Sequence, residues 1–138
     1  MRLGLFKYLL TFIQDAFGNY VVQYILDLGD PQFINMVVHR FMGNVCLLST
    51  QKFSSNVIEK CIRVSCPVQR HLLVQELVDV CASGLEKLLR DSYANYVVQT
   101  ALDTCDSEQR VNLVECIKPL LPAVRNTPYG KRILAKIG

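Results

Sequence analysis

What the sequence lacks narrows its function first. No run of 18 apolar residues occurs in the 138, so no segment is expected to cross a membrane as a helix. The apolar start, residues 1–13, has Arg2 in front like a secretion signal. Lys7 interrupts it, however, and no small-residue cleavage site follows. None of the six cysteines (Cys46, Cys61, Cys66, Cys81, Cys105 and Cys116) forms a Cys-x-x-Cys pair, and the two histidines, His39 and His71, stand at no ligand-like spacing. A zinc site is therefore not expected, and the cysteines read as small buried thiols in a reducing, cytoplasmic setting. No Ser/His/Asp set, metal-ligand cluster or phosphate loop is present, so neither catalysis nor a cofactor is expected; Glu86 and Asp91 read as surface charges. Sustained strand-like alternation is missing as well. The net charge of +3 is too small to demand a polyanionic partner, though it does not oppose one.

What is present is a repeat. With 51% hydrophobic and 20% charged residues the chain is expected to fold around a core rather than stay disordered. The string Asn19-Tyr20-Val21-Val22-Gln23 recurs as Asn95-Tyr96-Val97-Val98-Gln99, with the variant Ser55-Asn56-Val57-Ile58-Glu59 between them. A degenerate fourth copy runs from Thr127 through Lys131 and Arg132 to Ala135. The aromatic anchors Phe17, Phe53, Tyr93 and Tyr129 are 36, 40 and 36 residues apart. Periods of this length mark a solenoid, whose units each bury a face on their neighbour.

Between motifs the punctuation is regular. Asp30-Pro31, Ser65-Cys66-Pro67 and Asp106-Ser107 mark helix starts, with Asp30, Ser65 and Asp106 or Ser107 as N-caps. Phe33, Val37 and Phe41 recur at four-residue steps, as do Leu73 and Leu77, which predicts an amphipathic helix after each break. Short segments from Val45 to Ser49, Leu85 to Leu89 and Leu120 to Val124 lead into the next motif helix. The four extra residues of the longer interval fall near Cys81-Ala82-Ser83-Gly84, read as an extended connection. The predicted units are 1–29 (partial), 30–65, 66–105 and a cap at 106–138. One period before Val37 lies Met1, so the first unit lacks most of its first helix. Leu3, Leu5, Phe6, Leu9, Leu10, Phe12 and Ile13 then form an improvised end, expected to meet either preceding repeats of a longer array or another copy of the chain.

The motif itself suggests a reader of bases. Asn19 and Gln23, like Asn95 and Gln99, are i and i+4 on one helical face, with Tyr20 or Tyr96 beside them; Val21, Val22, Ile25 and Leu26 are expected in the core. An unstacked base offers a flat π face and a hydrogen-bonding edge. Tyrosine supplies the stacking surface, and the amides carry the donor and acceptor that a uracil edge requires. In the variant copy an ionised Glu59 only accepts, which suits the adjacent donors of guanine, with Ser55 beside it and Asn56 in the stacking place. Lys60, Arg63, Lys131, Arg132 and Lys136, on or near motif helices, are candidate phosphate contacts. A peptide-binding scaffold is the alternative, but it has no need for Asn/Gln twice and Ser/Glu once at matched positions.

At these residues, and over roughly residues 12–138, the sequence resembles the Pumilio/PUF family of RNA-binding proteins. Asn-Tyr-x-x-Gln and Ser-Asn-x-x-Glu match that family's signatures for uracil and guanine, and residues 129–136 resemble its C-terminal cap. The resemblance implies an all-α, right-handed helical-repeat solenoid that is N-terminally truncated, with single-stranded RNA on its concave face. By the same carry-over Asn95, Tyr96 and Gln99 read a 5′ uracil, Ser55, Asn56 and Glu59 the following guanine, and Asn19, Tyr20 and Gln23 the next uracil. The implied target is a UGU core in mRNA 3′ untranslated regions, and the implied partners are deadenylation or translational-repression proteins.

Overall fold

The structure, a computed structural model, describes residues 8–138, and no strand occurs among them. In chain order the helices are α1 (residues 8–12), α2 (Gly18–Asp27), α3 (Pro31–Phe41), α4 (Val45–Ser49), α5 (Ser54–Val64), α6 (Pro67–Val78), α7 (Ala82–Arg90), α8 (Ala94–Thr104), α9 (Ser107–Ile117), α10 (Leu121–Val124) and α11 (Pro128–Ile137). A 3-10 turn, Lys118–Leu120, joins α9 to α10. The order long helix, short helix, motif helix follows the predicted pattern.

Local chemistry explains most boundaries. The Asp30 carboxylate accepts from the Gln32 N–H at 3.0 Å and Pro31 opens α3, where its missing N–H is no loss. Asp106 caps α9 by accepting from the Gln109 N–H at 2.7 Å. At α6 the expectation fails. Ser65 belongs to the end of α5, its hydroxyl turned back onto the Cys61 carbonyl, and Cys66 stands at the N-cap without a side-chain bond. The four extra residues also behave differently from an extended connection. They add a first turn to α7, which has nine residues where α4 has five, and the Leu85 N–H already bonds the Cys81 carbonyl at 2.9 Å.

The motif helices α2, α5, α8 and α11 pack side by side in sequence, and α3, α6 and α9 form a second row behind them. Val22, Leu26, Val57, Ile58, Ile62, Val97, Val98 and Ile133 from the first row meet Val37, Phe41, Leu73, Leu77, Leu113 and Ile117 from the second, all fully buried. Each such side chain contributes about 1.5–3 kcal/mol on burial. Val21 departs from its expected core place: it is 47% exposed, whereas its counterparts Val57 and Val97 are wholly buried against a preceding motif helix. Phe17, Tyr24 and Leu28 share this open face of α2. Of the residues expected to form the improvised end, Leu9 and Ile13 are buried, and Leu3, Leu5 and Phe6 lie outside the described residues.

One carboxylate fastens neighbouring units together. Glu76 on α6 accepts from the Gly43 N–H at 2.6 Å and the Val45 N–H at 3.2 Å, so it caps α4 from one unit further along the chain. Glu76→Ala strands both donors, one on buried Val45. It is expected to lower stability by about 1–2 kcal/mol. Denaturant unfolding checks this; an unchanged midpoint would show that solvent replaces the carboxylate without cost.

Candidate nucleic-acid interface

The motif helices α2 and α8 each begin from a tight turn held by an aspartate. Asp15 accepts from the Gly18 and Phe17 N–H groups at 2.8 and 2.9 Å, and Asp91 accepts from the Tyr93 and Ala94 N–H groups, both at 2.8 Å. The Gly18 and then the Phe17 N–H bonds hold the Asp15 carboxyl below its usual pKa. The asparagines close the same turns. Asn19 Nδ2 donates to the carbonyls of Asp15 and Ala16 at 2.9 and 3.0 Å, and Asn95 Nδ2 donates to the Asp91 carbonyl at 2.7 Å.

Asn19 and Asn95 are therefore fully buried posts rather than surface groups. What each post holds is the glutamine one turn on. Gln23 Nε2 donates to Asn19 Oδ1 at 3.0 Å, and Gln99 Nε2 donates to Asn95 Oδ1 at 3.1 Å. Among the described residues each glutamine amide then keeps one N–H and its Oε1 uncommitted, a fixed donor beside a fixed acceptor.

The middle copy is built differently. Ser55 is 3% exposed, and its hydroxyl donates to the Lys52 carbonyl at 3.3 Å. Glu59 Oε1 accepts from the Thr100 hydroxyl of α8 at 2.7 Å, and Arg63 Nη2 lies 3.8 Å from the same oxygen. Arg63 Nη2 also donates to Thr100 Oγ1 at 3.2 Å. Gln23, Asn56, Glu59, Lys60 and Arg63 line one shallow hollow of about 210 Å³ between α2 and α5.

Beside these polar side chains stand the flat groups. Tyr20 is 63% exposed, Tyr96 40%, and Asn56 is exposed between them. Arg132 takes the next rung, one period of 36 after Tyr96. Its guanidinium carbon lies 5.7 Å from the centre of the Tyr96 ring, and Nη1 donates to the Tyr96 hydroxyl at 2.9 Å. Tyr129 meets the Tyr96 ring edge-on at 6.2 Å. Lys60 pairs with Asp27 at 3.0 Å and Lys136 with Asp103 at 2.9 Å, each across a seam between motif helices, while Lys131 is exposed.

Three contributors escaped the sequence reading, which took Asp91 for a surface charge only. Asp15 and Asp91 precede their asparagines by four residues in both copies, a signal that was available. Thr100 could be noticed only as the residue that replaces lysine at the place of Lys60 and Lys136. Among the described residues no cluster of three or more His, Cys, Asp or Glu could hold a metal, and no helix is long and apolar enough to cross a membrane.

Comparison with known proteins gives this geometry its context. Residues 8–40, 44–78 and 87–118 match the Pumilio-family RNA binding repeat. A Pumilio domain-containing protein of Schizosaccharomyces pombe is 54% identical over 128 residues, which are 93% of this chain and 18% of that protein. Pumilio homolog 11 of Arabidopsis thaliana is 44% identical over 127 residues, 92% of this chain and 22% of the relative. Among solved structures, the Puf4 RNA binding domain bound to an HO endonuclease RNA 3′ UTR recognition sequence superimposes with a TM-score of 0.86 at 36% identity. The match covers 96% of this chain and 43% of that one. PUF-8 in complex with PBE-RNA gives 0.85 at 34% identity, covering 96% and 39%. The chain thus spans about a fifth of these two curated relatives and under half of these two solved chains.

Proposed function

The chain belongs to the Pumilio family of RNA-binding repeat proteins, and on that basis we propose that it binds single-stranded RNA by sequence and reads a 5′-UGU-3′ core, one base per motif helix. The observation that carries this reading is the ladder on α2, α5 and α8. Gln23 and Gln99 are each held by a buried asparagine with one donor and one acceptor to spare, while Glu59 in the same place offers only acceptors. A uracil edge presents N3–H and O4, the complement of an amide; guanine presents N1–H and N2–H, the complement of a carboxylate. Asn95, Tyr96 and Gln99 then take the 5′ uracil, Ser55, Asn56 and Glu59 the guanine, and Asn19, Tyr20 and Gln23 the second uracil.

Stacking on Tyr20 and Tyr96 contributes about 1–3 kcal/mol per base, and good edge contacts a similar amount of discrimination. Asn56, with its smaller planar amide, makes the weaker platform. Lys60, Arg63, Lys131 and Arg132 add positive charge along the RNA path, though Lys60 would first have to share its ammonium with Asp27. The neighbouring Puf4 complex contains a 3′ UTR recognition sequence. By that likeness the targets here are 3′ untranslated regions of cytoplasmic mRNA, repressed through deadenylation or translational-repression proteins.

Equilibrium binding of labelled RNAs carrying UGU, UUU, UCU or ACA, at one fixed salt concentration, tests the reading. The expected result is tightest binding to UGU. Equal affinity for all four would reduce the interaction to charge attraction and overturn base recognition.

A further inference from the structure

We infer that Thr100 is a positioning residue for guanine recognition, setting the orientation of the Glu59 carboxylate across the seam between two repeats. The inference rests on the base-reading proposal and concerns a residue that the motif does not include.

The seams between successive motif helices show why this position is unusual. Residues 27, 63 and 103 occupy one register position, and residues 60, 100 and 136 the position that faces it. At the outer two seams these are Asp and Lys, which form the Lys60–Asp27 and Lys136–Asp103 ion pairs. At the middle seam both are exchanged. Arg63 replaces the aspartate and Thr100 replaces the lysine, next to the one acidic reader in the ladder. A lysine at position 100 would place an ammonium against Arg63 and within reach of Glu59, where it would compete with the base for the carboxylate. Threonine supplies a single neutral donor instead.

The direction of that donor is fixed. Thr100 Oγ1 accepts from Arg63 Nη2 at 3.2 Å, so its own proton turns to Glu59 Oε1 at 2.7 Å. One oxygen of Glu59 is thereby anchored, and Oε2 takes no hydrogen bond among the described residues. Thr100 is 2% exposed, too deep to meet a base itself. It acts on recognition by restricting the rotamers of Glu59 before RNA arrives, which lowers the entropy cost of binding. The asparagine posts do this for Gln23 and Gln99 from within their own helix. Ser55 is bonded to the Lys52 carbonyl, and the neighbouring repeat takes over its task.

The test compares competition binding of UGU and UUU RNAs to the unaltered chain, Thr100→Val and Thr100→Ser. Thr100→Val keeps the shape and deletes the hydroxyl. It is expected to reduce the preference for guanine about five-fold, the scale of one orienting hydrogen bond. Thr100→Ser should retain the preference, and discrimination at the first base, UGU against CGU, should be the same in all three. An undiminished guanine preference in Thr100→Val would overturn the inference. So would equal weakening toward every RNA, which would mark Thr100 as a packing residue only. If the unaltered chain itself shows no preference for guanine, base reading fails and this inference fails with it. That outcome is distinct from a failure confined to the valine variant.

Discussion

Glu59→Gln is expected to turn the second-base preference from guanine toward uracil. The carboxylate of Glu59 accepts one hydrogen bond, from Thr100, and has capacity for two donors on a base edge. An amide in its place directs an N–H at the N–H groups of guanine and leaves a donor unmet at a desolvated contact, at a cost of about 1–3 kcal/mol. It also loses a well-formed base contact worth about 1–3 kcal/mol. Together these shift the UGU to UUU affinity ratio by about 2–6 kcal/mol, roughly 30- to 20,000-fold. The single variant should not reach the selectivity of a native uracil site, because the Gln23 and Gln99 amides are each held by an asparagine and Ser55 has turned its hydroxyl to the backbone. Ser55→Asn together with Glu59→Gln restores the post and should give the stronger switch. Asparagine is fully buried at the same register position in the other two copies, positions 19 and 95. Competition between UGU and UUU RNAs at constant salt measures the ratio; a double variant that still prefers guanine would remove Glu59 from the role of reader.

How much of this was legible in the sequence depends on how far the deciding interaction reaches. The caps at Asp30 and Asp106 could be read directly, because an N-cap bonds N–H groups two or three residues away. Ser65 has the right chemistry in nearly the right place, but it competes with its own preceding turn for the hydroxyl and ends α5 instead of starting α6. The insertion at Cys81-Ala82-Ser83-Gly84 looked like loop by composition, yet the continuing helix offers each residue a backbone partner, and the segment joins α7.

The candidate site shows the same division. Asn and Gln at i and i+4 were expected to lie together on the helix, and they do. That the asparagine would face inward and serve the turn was not evident, since the carbonyls of Asp15 and Asp91 come near it only once the turn has formed. Val21 reads as core in any helical projection; its exposure follows from which helices surround α2, a matter of tertiary order. Arg132 reads as a phosphate contact from its charge alone, while its place over Tyr96 depends on the stacking of α11 on α8.

Gly130→Ala is expected to loosen that last helix and to report on the end of the ladder. A Cβ at Gly130 would overlap the Val124 carbonyl oxygen, lie 2.5 Å from the Val124 carbonyl carbon and 3.1 Å from Arg125 Cα. These are backbone atoms and cannot rotate aside. Alanine favours a helix over glycine by about 1 kcal/mol. Forced overpacking costs typically about 1–3 kcal/mol, and a clash with backbone falls at the upper end or beyond. The clash therefore wins, with an expected net loss of about 2 kcal/mol or more. The same register position holds Gly18 in the first copy, where a Cβ would overlap the Phe12 carbonyl oxygen, and Ser54 and Ala94 in the middle copies, where a Cβ is accommodated, so the close approach belongs to the first and last copies and not to the middle ones. Separation of α11 from α10 would disturb the Thr127 cap on the Gly130 N–H, the Lys136–Asp103 pair and the Arg132 guanidinium over Tyr96. Faster amide exchange should be confined to α11 and its contacts, and RNA affinity should fall through the Tyr96 platform while the guanine to uracil ratio at the second base is preserved. Equal exchange rates in α11 would mean that the α10–α11 turn relaxes around the methyl group; a changed second-base ratio would mean that the cap acts on Glu59 as well as on Tyr96.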